Sequence, residues 1–167
     1  ILKERTEETR VSIVPAVVQR LIKELSFEVY FESGVGKKAG FSDADYIKAG
    51  AALMDRKDIL ELLDIITIIN SFDAPFQPNS SKIVVSVLNP LFRTQEMEKF
   101  RSPNLTVFSL DMVPRSTKAQ AMDVLSSMAS ISGYKAVIKA AELYGSVFPM
   151  FTTAAGTIRP VKVLVIG

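Results

Sequence analysis

Short runs rich in valine, isoleucine and phenylalanine recur along this chain: FEVYFE (27–32), IITII (65–69), KIVVSVL (82–88), LTVFSL (105–110) and VKVLVI (161–166). Runs this uniformly apolar do not suit a sheet with one wet face; they predict strands buried on both sides. Helix-like stretches lie among them. PAVVQRLIKEL opens on Pro15 and places Val18, Leu21, Ile22 and Leu25 on one stripe. SDADYIKAGA offers Ser42 or Asp43 as an N-cap and Gly50 as a stop, and TQEMEKF predicts a short helix before a turn at RSPN. Strands alternating with helices in this way specify the α/β class with a parallel sheet. The stretch FDAPFQPNSSK (72–82) reads as an exposed loop.

The last apolar run ends at Gly167, and a buried strand ending in glycine is how a nucleotide-binding βαβ unit begins. Ile1 and Gly167 read as cut ends, so the chain is expected to be a piece of something longer. Its division is expected to be an α/β domain over 1–114, a helical connector over 115–160, and the first strand of a second domain over 161–167.

The chain contains no cysteine and no histidine. That removes disulfides, thiol–imidazole pairs, Ser–His triads and ordinary zinc sites. With 48% hydrophobic and 23% charged residues the 167-residue chain can bury a substantial core. No apolar run approaches the roughly 18 residues a membrane-spanning helix needs. Residues 115–167 hold six Lys or Arg against Asp123 and Glu142. That local excess suits either an anionic ligand or an ordinary solvated surface.

The segment VPRSTKAQAMDVLSSMA is different in kind. Thr117 and Gln120 are spaced as a capping box and Pro114 discourages helix before them, which predicts a helix start near 116–118. It continues as one helix to about 145, or as two joined near Ser132 and Gly133. At about 100° per residue, Ala121, Val124, Leu125 and Met128 fall on one side. Gln120, Asp123, Ser127 and Ser130 fall on the other, with Ser126 at the margin. This polar face is short-chained and mostly uncharged, so it suits either a bound small molecule or close packing against protein. Three further features read two ways. ESGVGKKAGFSD (32–43) is a phosphate-cradling loop or a plain βα turn, and its spacing matches no nucleotide motif. Arg10 holds a carboxylate or sits on the surface. TAAGTIRP (153–160) is a turn built on Gly156 or a functional loop.

Taken together, PRSTKAQAMDVLSSMASISGYKAV and FPMFTTAAGTIRPVKVLVIG resemble the NAD(H)-binding component of the proton-translocating NAD(P) transhydrogenases. The resemblance extends over KERTEETRVSIVP and FESGVGKKAGFSDADYIKAGA, and so over nearly the whole chain. It implies a Rossmann-like N-terminal domain, a long connecting helix and the first strand of a truncated Rossmann domain. The nucleotide-binding residues it implies are Arg115, Asp123 and Ser126 at the nicotinamide, and Gln120 toward the partner's NADP(H). Ser127 lies on the same polar face, and Gly167 would open the glycine-rich turn. The implied chemistry is direct hydride transfer between NAD(H) and NADP(H), with no protein acid, base, nucleophile or metal. The implied partners are an NADP(H)-binding component, a membrane proton channel and a second copy of the chain, with no nucleic acid. The implied location is the soluble face of a membrane-associated complex. Alanine dehydrogenase shares the fold and the RVSIVP block, but its lysine and histidine fall here on Ile68 and Asn89, and only Arg10 is retained. The remaining alternative is a non-catalytic docking or dimerisation module.

Overall fold

The computed structural model describes residues 1–72 and 76–166. The chain divides into two compact units, Ile1–Asp123 and Val124–Gly167. In the first unit α1 spans Pro15–Leu25 with proline in its first turn and stops at Ser26, whose left-handed backbone (φ 56°) turns its N–H back to Ile22 O. Val18 is buried, while Leu25 in the last turn is exposed. The next helix, α2, spans Asp43–Lys48. Ser42 caps it through a reciprocal capping box with Asp45, and Gly50 follows at φ 100°. A third helix, α3 (Arg56–Leu62), and the strand β2 (Ala52–Leu53) join elements foreseen from sequence. The TQEMEKF segment divides into α4 (Thr94–Met97) and a 3-10 turn over Glu98–Phe100.

The strands are shorter than the apolar runs that predicted them. β1 covers only Tyr30–Phe31 of 27–32, because its partner β2 is two residues long and a ladder ends where its neighbour does. β3 (Ile65–Thr67), β4 (Lys82–Ser86) and β5 (Leu105–Ser109) pair in parallel. Ile1 joins these ladders to the first pair. Its nitrogen donates to Tyr30 O at 2.7 Å and its carbonyl accepts from Glu32 N at 3.1 Å. Leu2 N then donates to Thr67 O at 3.1 Å. The sheet order is therefore β2, β1, the leading residues, β3, β4, β5. The chain builds outward one way from its leading residues, then crosses to their other side. That reversal is the topological switch point of a doubly wound sheet.

Helices pack on both sides of the leading residues. Ile1 packs in a core with Val18 of α1, Phe31, Val35 and Tyr46 of α2. Leu2, its neighbour, points the opposite way into a second core with Ile59 of α3, Ile66, Val84 and Phe100. Burial of β3–β5 is unequal, which corrects the expectation of strands buried on both faces. Val84 and Ser86 are buried, whereas Ile65 and Phe108 on the opposite face are exposed.

The expected exposed loop at 72–82 is a loop up to β4 and is exposed at Gln77 and 79–81, but not throughout. Phe72 and Pro78 are buried, with Phe72 ringed by Phe76 and Phe100 at centroid distances of 5.1 and 5.6 Å. Residues 73–75 of that loop lie outside the described residues. In the second unit α5 runs unbroken over Val124–Tyr144, so Gly133 does not divide it. A hairpin of β6 (Phe151–Thr153) and β7 (Gly156–Ile158) follows, turned by Gly156 at φ 128°. Residues 161–166, expected as a strand, form no ladder and Val163–Ile166 are exposed. A strand is defined by its neighbours, and no strand pairs with this run among the described residues. No helix among the described residues is long and apolar enough to cross a membrane.

Candidate functional site

Two regions of the first unit gather polar side chains. The first lies outside the carboxyl ends of the strands at the switch point, where open α/β sheets leave a crevice. Glu4, just past the leading residues, takes over from the ladder. Its carboxylate accepts from Ile69 N at 2.6 Å, Asn70 N at 3.2 Å and Asn70 Nδ2 at 3.3 Å. Glu8 accepts from Arg10 Nε at 2.8 Å, Arg10 Nη2 at 2.7 Å and Asn70 Nδ2 at 3.2 Å. Its hydrogen bonds from Arg10 hold the Glu8 carboxyl down at about 2. Arg10 is an exposed arginine, as the surface reading had it, and the carboxylate it holds is the chain's own Glu8.

Two cavities open here, both bordered by Lys3 and Glu4. One of about 50 Å³ reaches Arg56, Ile68 and Ser71. The other, of about 100 Å³, reaches Glu8, Arg10, Lys37 and Lys38. Ile68 is 3% exposed and belongs to the core, so the position matched to a catalytic lysine is apolar and packed. Asn89, matched to a histidine, turns the chain at φ 54° and its carbonyl accepts from Phe92 N and Arg93 N. The glycine-rich stretch 32–43 is a turn. Gly34 stands at φ 71°, and Gly36 packs so tightly that a Cβ would meet Tyr46 Cε2 at 2.7 Å and Phe41 Cβ at 2.8 Å. Lys3, Glu4, Glu8 and Lys37 escaped the sequence reading because only the strand order brings their segments together.

The second region is the loop from Pro114. Ser116 is extended and makes no side-chain cap, so the expected capping box does not form. Thr117–Met122 instead wind as a 3-10 helix whose i→i+3 bonds, such as Ala119 N to Ser116 O, satisfy donors that no side chain reaches. Asp123 leaves helical space at ψ 85°, and the α-helix begins at Val124 rather than near 116–118. The periodicity that placed Gln120, Asp123, Ser127 and Ser130 on one continuous face therefore breaks at Asp123. Arg115 and Gln120 are exposed, and Ala119 between them is buried and anchors the turn. Arg115, Gln120 and Asp123 belong to the first unit, and Ser126 and Ser127, both exposed in the first turn of α5, to the second. Asp123, Ser126 and Ser127 each carry polar partners. Gly167 lies outside the described residues. Among those described, no cluster of three acidic or other metal-ligating side chains forms a metal site.

The family profile for the N-terminal domain of alanine dehydrogenase and PNT matches residues 1–132. The NAD(P) transhydrogenase subunit alpha of Haemophilus influenzae is 41% identical over 96% of this chain, which spans 31% of that protein. The NAD(P) transhydrogenase subunit alpha of Cereibacter sphaeroides is 37% identical over 96% of the chain and 31% of its own length. Among solved structures, the transhydrogenase from Sinorhizobium meliloti superimposes with a TM-score of 0.87 at 36% identity, over 96% of this chain and 46% of that one. The chain thus spans less than half the length of these relatives.

Proposed function

Because this chain belongs to the alanine dehydrogenase/PNT N-terminal domain family, we propose that it forms part of the NAD(H)-binding component of a proton-translocating NAD(P) transhydrogenase. The observation that carries this reading is the 41% identity to a transhydrogenase alpha subunit, sustained over 96% of the chain. The polar loop fits the cofactor's nicotinamide end. Arg115 and Gln120 are exposed on a turn anchored by Ala119, and a guanidinium, an amide, a carboxylate and hydroxyls supply the donors and acceptors a carboxamide requires. In this reading Arg115, Asp123 and Ser126 hold the nicotinamide region, Ser127 borders them, and Gln120 reaches toward NADP(H) on the partner component. Bound NAD(H) supplies the hydride exchanged with that second nucleotide.

The residues of this chain then position and do not react. Orientation alone is worth about 7–11 kcal/mol of barrier, so a chain without histidine or cysteine is adequate to the task. The partners in this reading are the NADP(H)-binding component, the membrane proton channel and a second copy of the chain, placing it on the soluble face of the complex. Gly167 would begin the pyrophosphate-binding turn.

In the assembled complex, Arg115→Ala and Asp123→Ala should each slow hydride transfer from NADH to an NADP⁺ analogue by roughly 10²-fold, the cost of misplacing reactants by about 1 Å. Assembly, followed by sedimentation, should not change. Wild-type rates with altered assembly would instead establish a docking module. Alanine with NAD⁺ should give no turnover, since neither Ile68, packed in the core, nor the exposed Asn89 supplies a group to move the substrate's proton.

A further inference from the structure

The cavity of about 100 Å³ between the exits of the leading residues and β1 is not used by the nucleotide reading above. Four cations, Lys3, Arg10, Lys37 and Lys38, border it against the two carboxylates of Glu4 and Glu8. Most of these groups already have hydrogen-bond partners. Glu4 is held by Ile69 and Asn70, and Glu8 occupies both Nε and Nη2 of Arg10. Lys38 Nζ donates to the carbonyls of Arg5 and Thr6. Lys3 and Lys37 remain, their ammonium groups without hydrogen bond or ion pair among the described residues. Lys3 Nζ lies 3.5 Å from where a Cβ on Gly34 would stand, so it is draped over the turn that bears Lys37.

We propose that this cavity is a binding site for a phosphate dianion, free or as a small monophosphate ester, held between the ammonium groups of Lys3 and Lys37. Three observations fix the class. The location is the crevice at the carboxyl ends of the strands beside the switch point, where open α/β sheets take ligands. The volume, about 100 Å³, suits a single small group better than a larger organic molecule, whose pockets run to roughly 300–1,000 Å³. The ammonium donors left over are two point charges, which suit a tetrahedral dianion. A planar monocarboxylate would favour the side-on fork of Arg10 Nε and Nη2, and Glu8 fills that one, leaving the arginine its Nη1 hydrogens and one on Nη2.

The test is calorimetric titration of the full-length protein with inorganic phosphate, glycerol 3-phosphate and pyruvate. One or both phosphate probes should bind at millimolar concentration, and weaken as salt rises. The difference between those two arms tells a free from an esterified ligand. Lys3→Gln with Lys37→Gln should weaken binding at least about tenfold, the loss of charge-assisted bonds. Lys3→Arg with Lys37→Arg, which keeps the charge, should restore most of it, and Lys57→Gln, at an exposed position of α3, should leave it unchanged. Circular dichroism checks that the double variant is folded. The proposal is overturned if neither phosphate probe binds, if the double variant binds as well as wild type, or if pyruvate binds as tightly as phosphate.

Discussion

Glu8 and Gly36 show how much a single position in this chain can carry. The Glu8 carboxyl, held at about 2 by its hydrogen bonds from Arg10, is depressed from 4.5. A depressed carboxyl stabilises the fold above its unfolded value and loses that contribution as pH falls through the folded one. Denaturant stability should therefore hold from pH 7 to near 4.5 as far as this group is concerned, then fall toward pH 2. Glu8→Gln should remove that part of the acid slope. Its cost at pH 7 is about 1–2 kcal/mol, well below the full linkage value, because half of the Arg10 side chain is in water. Gly36→Ala should destabilise by about 1–3 kcal/mol, since its Cβ would force Tyr46 and the Phe41 backbone apart. A urea midpoint unchanged by that substitution would show that the turn repacks freely. The sequence could show that this stretch is glycine-rich and matches no nucleotide motif. That Gly36 serves packing depends on Tyr46, ten residues further on, stacking with Phe31 at 5.1 Å.

Elements were legible where their signals are local and silent where their partners are distant. The cap of α2 was readable to within one residue, Ser42 or Asp43, and the structure chooses Ser42, whose reciprocal acid Asp45 sits three residues on with both bonds formed. The same logic applied to Thr117 and Gln120 failed, because Ser116 takes an extended backbone and the chain winds as a 3-10 turn. The strand at 82–88 was readable from its β-branched residues, but the role of Lys82 was not. Its side chain is buried, and Nζ donates to Glu61 O and Leu63 O, both at 2.9 Å. A strand residue thus caps the C-terminal carbonyls of α3, where a cation also meets the negative end of the helix dipole. Lys82→Met keeps the length and removes the charge, leaving two carbonyls short of a donor. It should cost about 1–3 kcal/mol and raise hydrogen exchange in the last turn of α3 more than in α1. A uniform rise across both helices would mean that the lysine only fills space.

At the scale of the whole sheet, the decisive residues are two that no motif marks. Apolar runs announced four of the strands, and the fold class followed from their alternation with helices. The order of the strands did not, because order depends on which segment lies between the two halves, and Ile1–Leu2 is too short to show any periodicity. Yet Ile1 bonds to Tyr30 and Glu32, and Leu2 to Thr67, so this segment joins the β1–β2 ladder to β3–β5. Its side chains divide between the two cores. Leu2→Ala should therefore act at both scales. The cavity itself should cost about 2.7–5 kcal/mol, as for other fully buried leucines. Loosening the junction should also expose amides on both sides, so hydrogen exchange should rise at Glu32 as well as in β3 and β4. Val84→Ala removes buried volume from the same core without touching the junction, and should loosen β3–β5 while leaving Glu32 protected. If the two variants gave the same exchange pattern, the leading residues would be packing alone. The crevice at the switch point would then owe its shape to the helices rather than to the strand that divides the sheet.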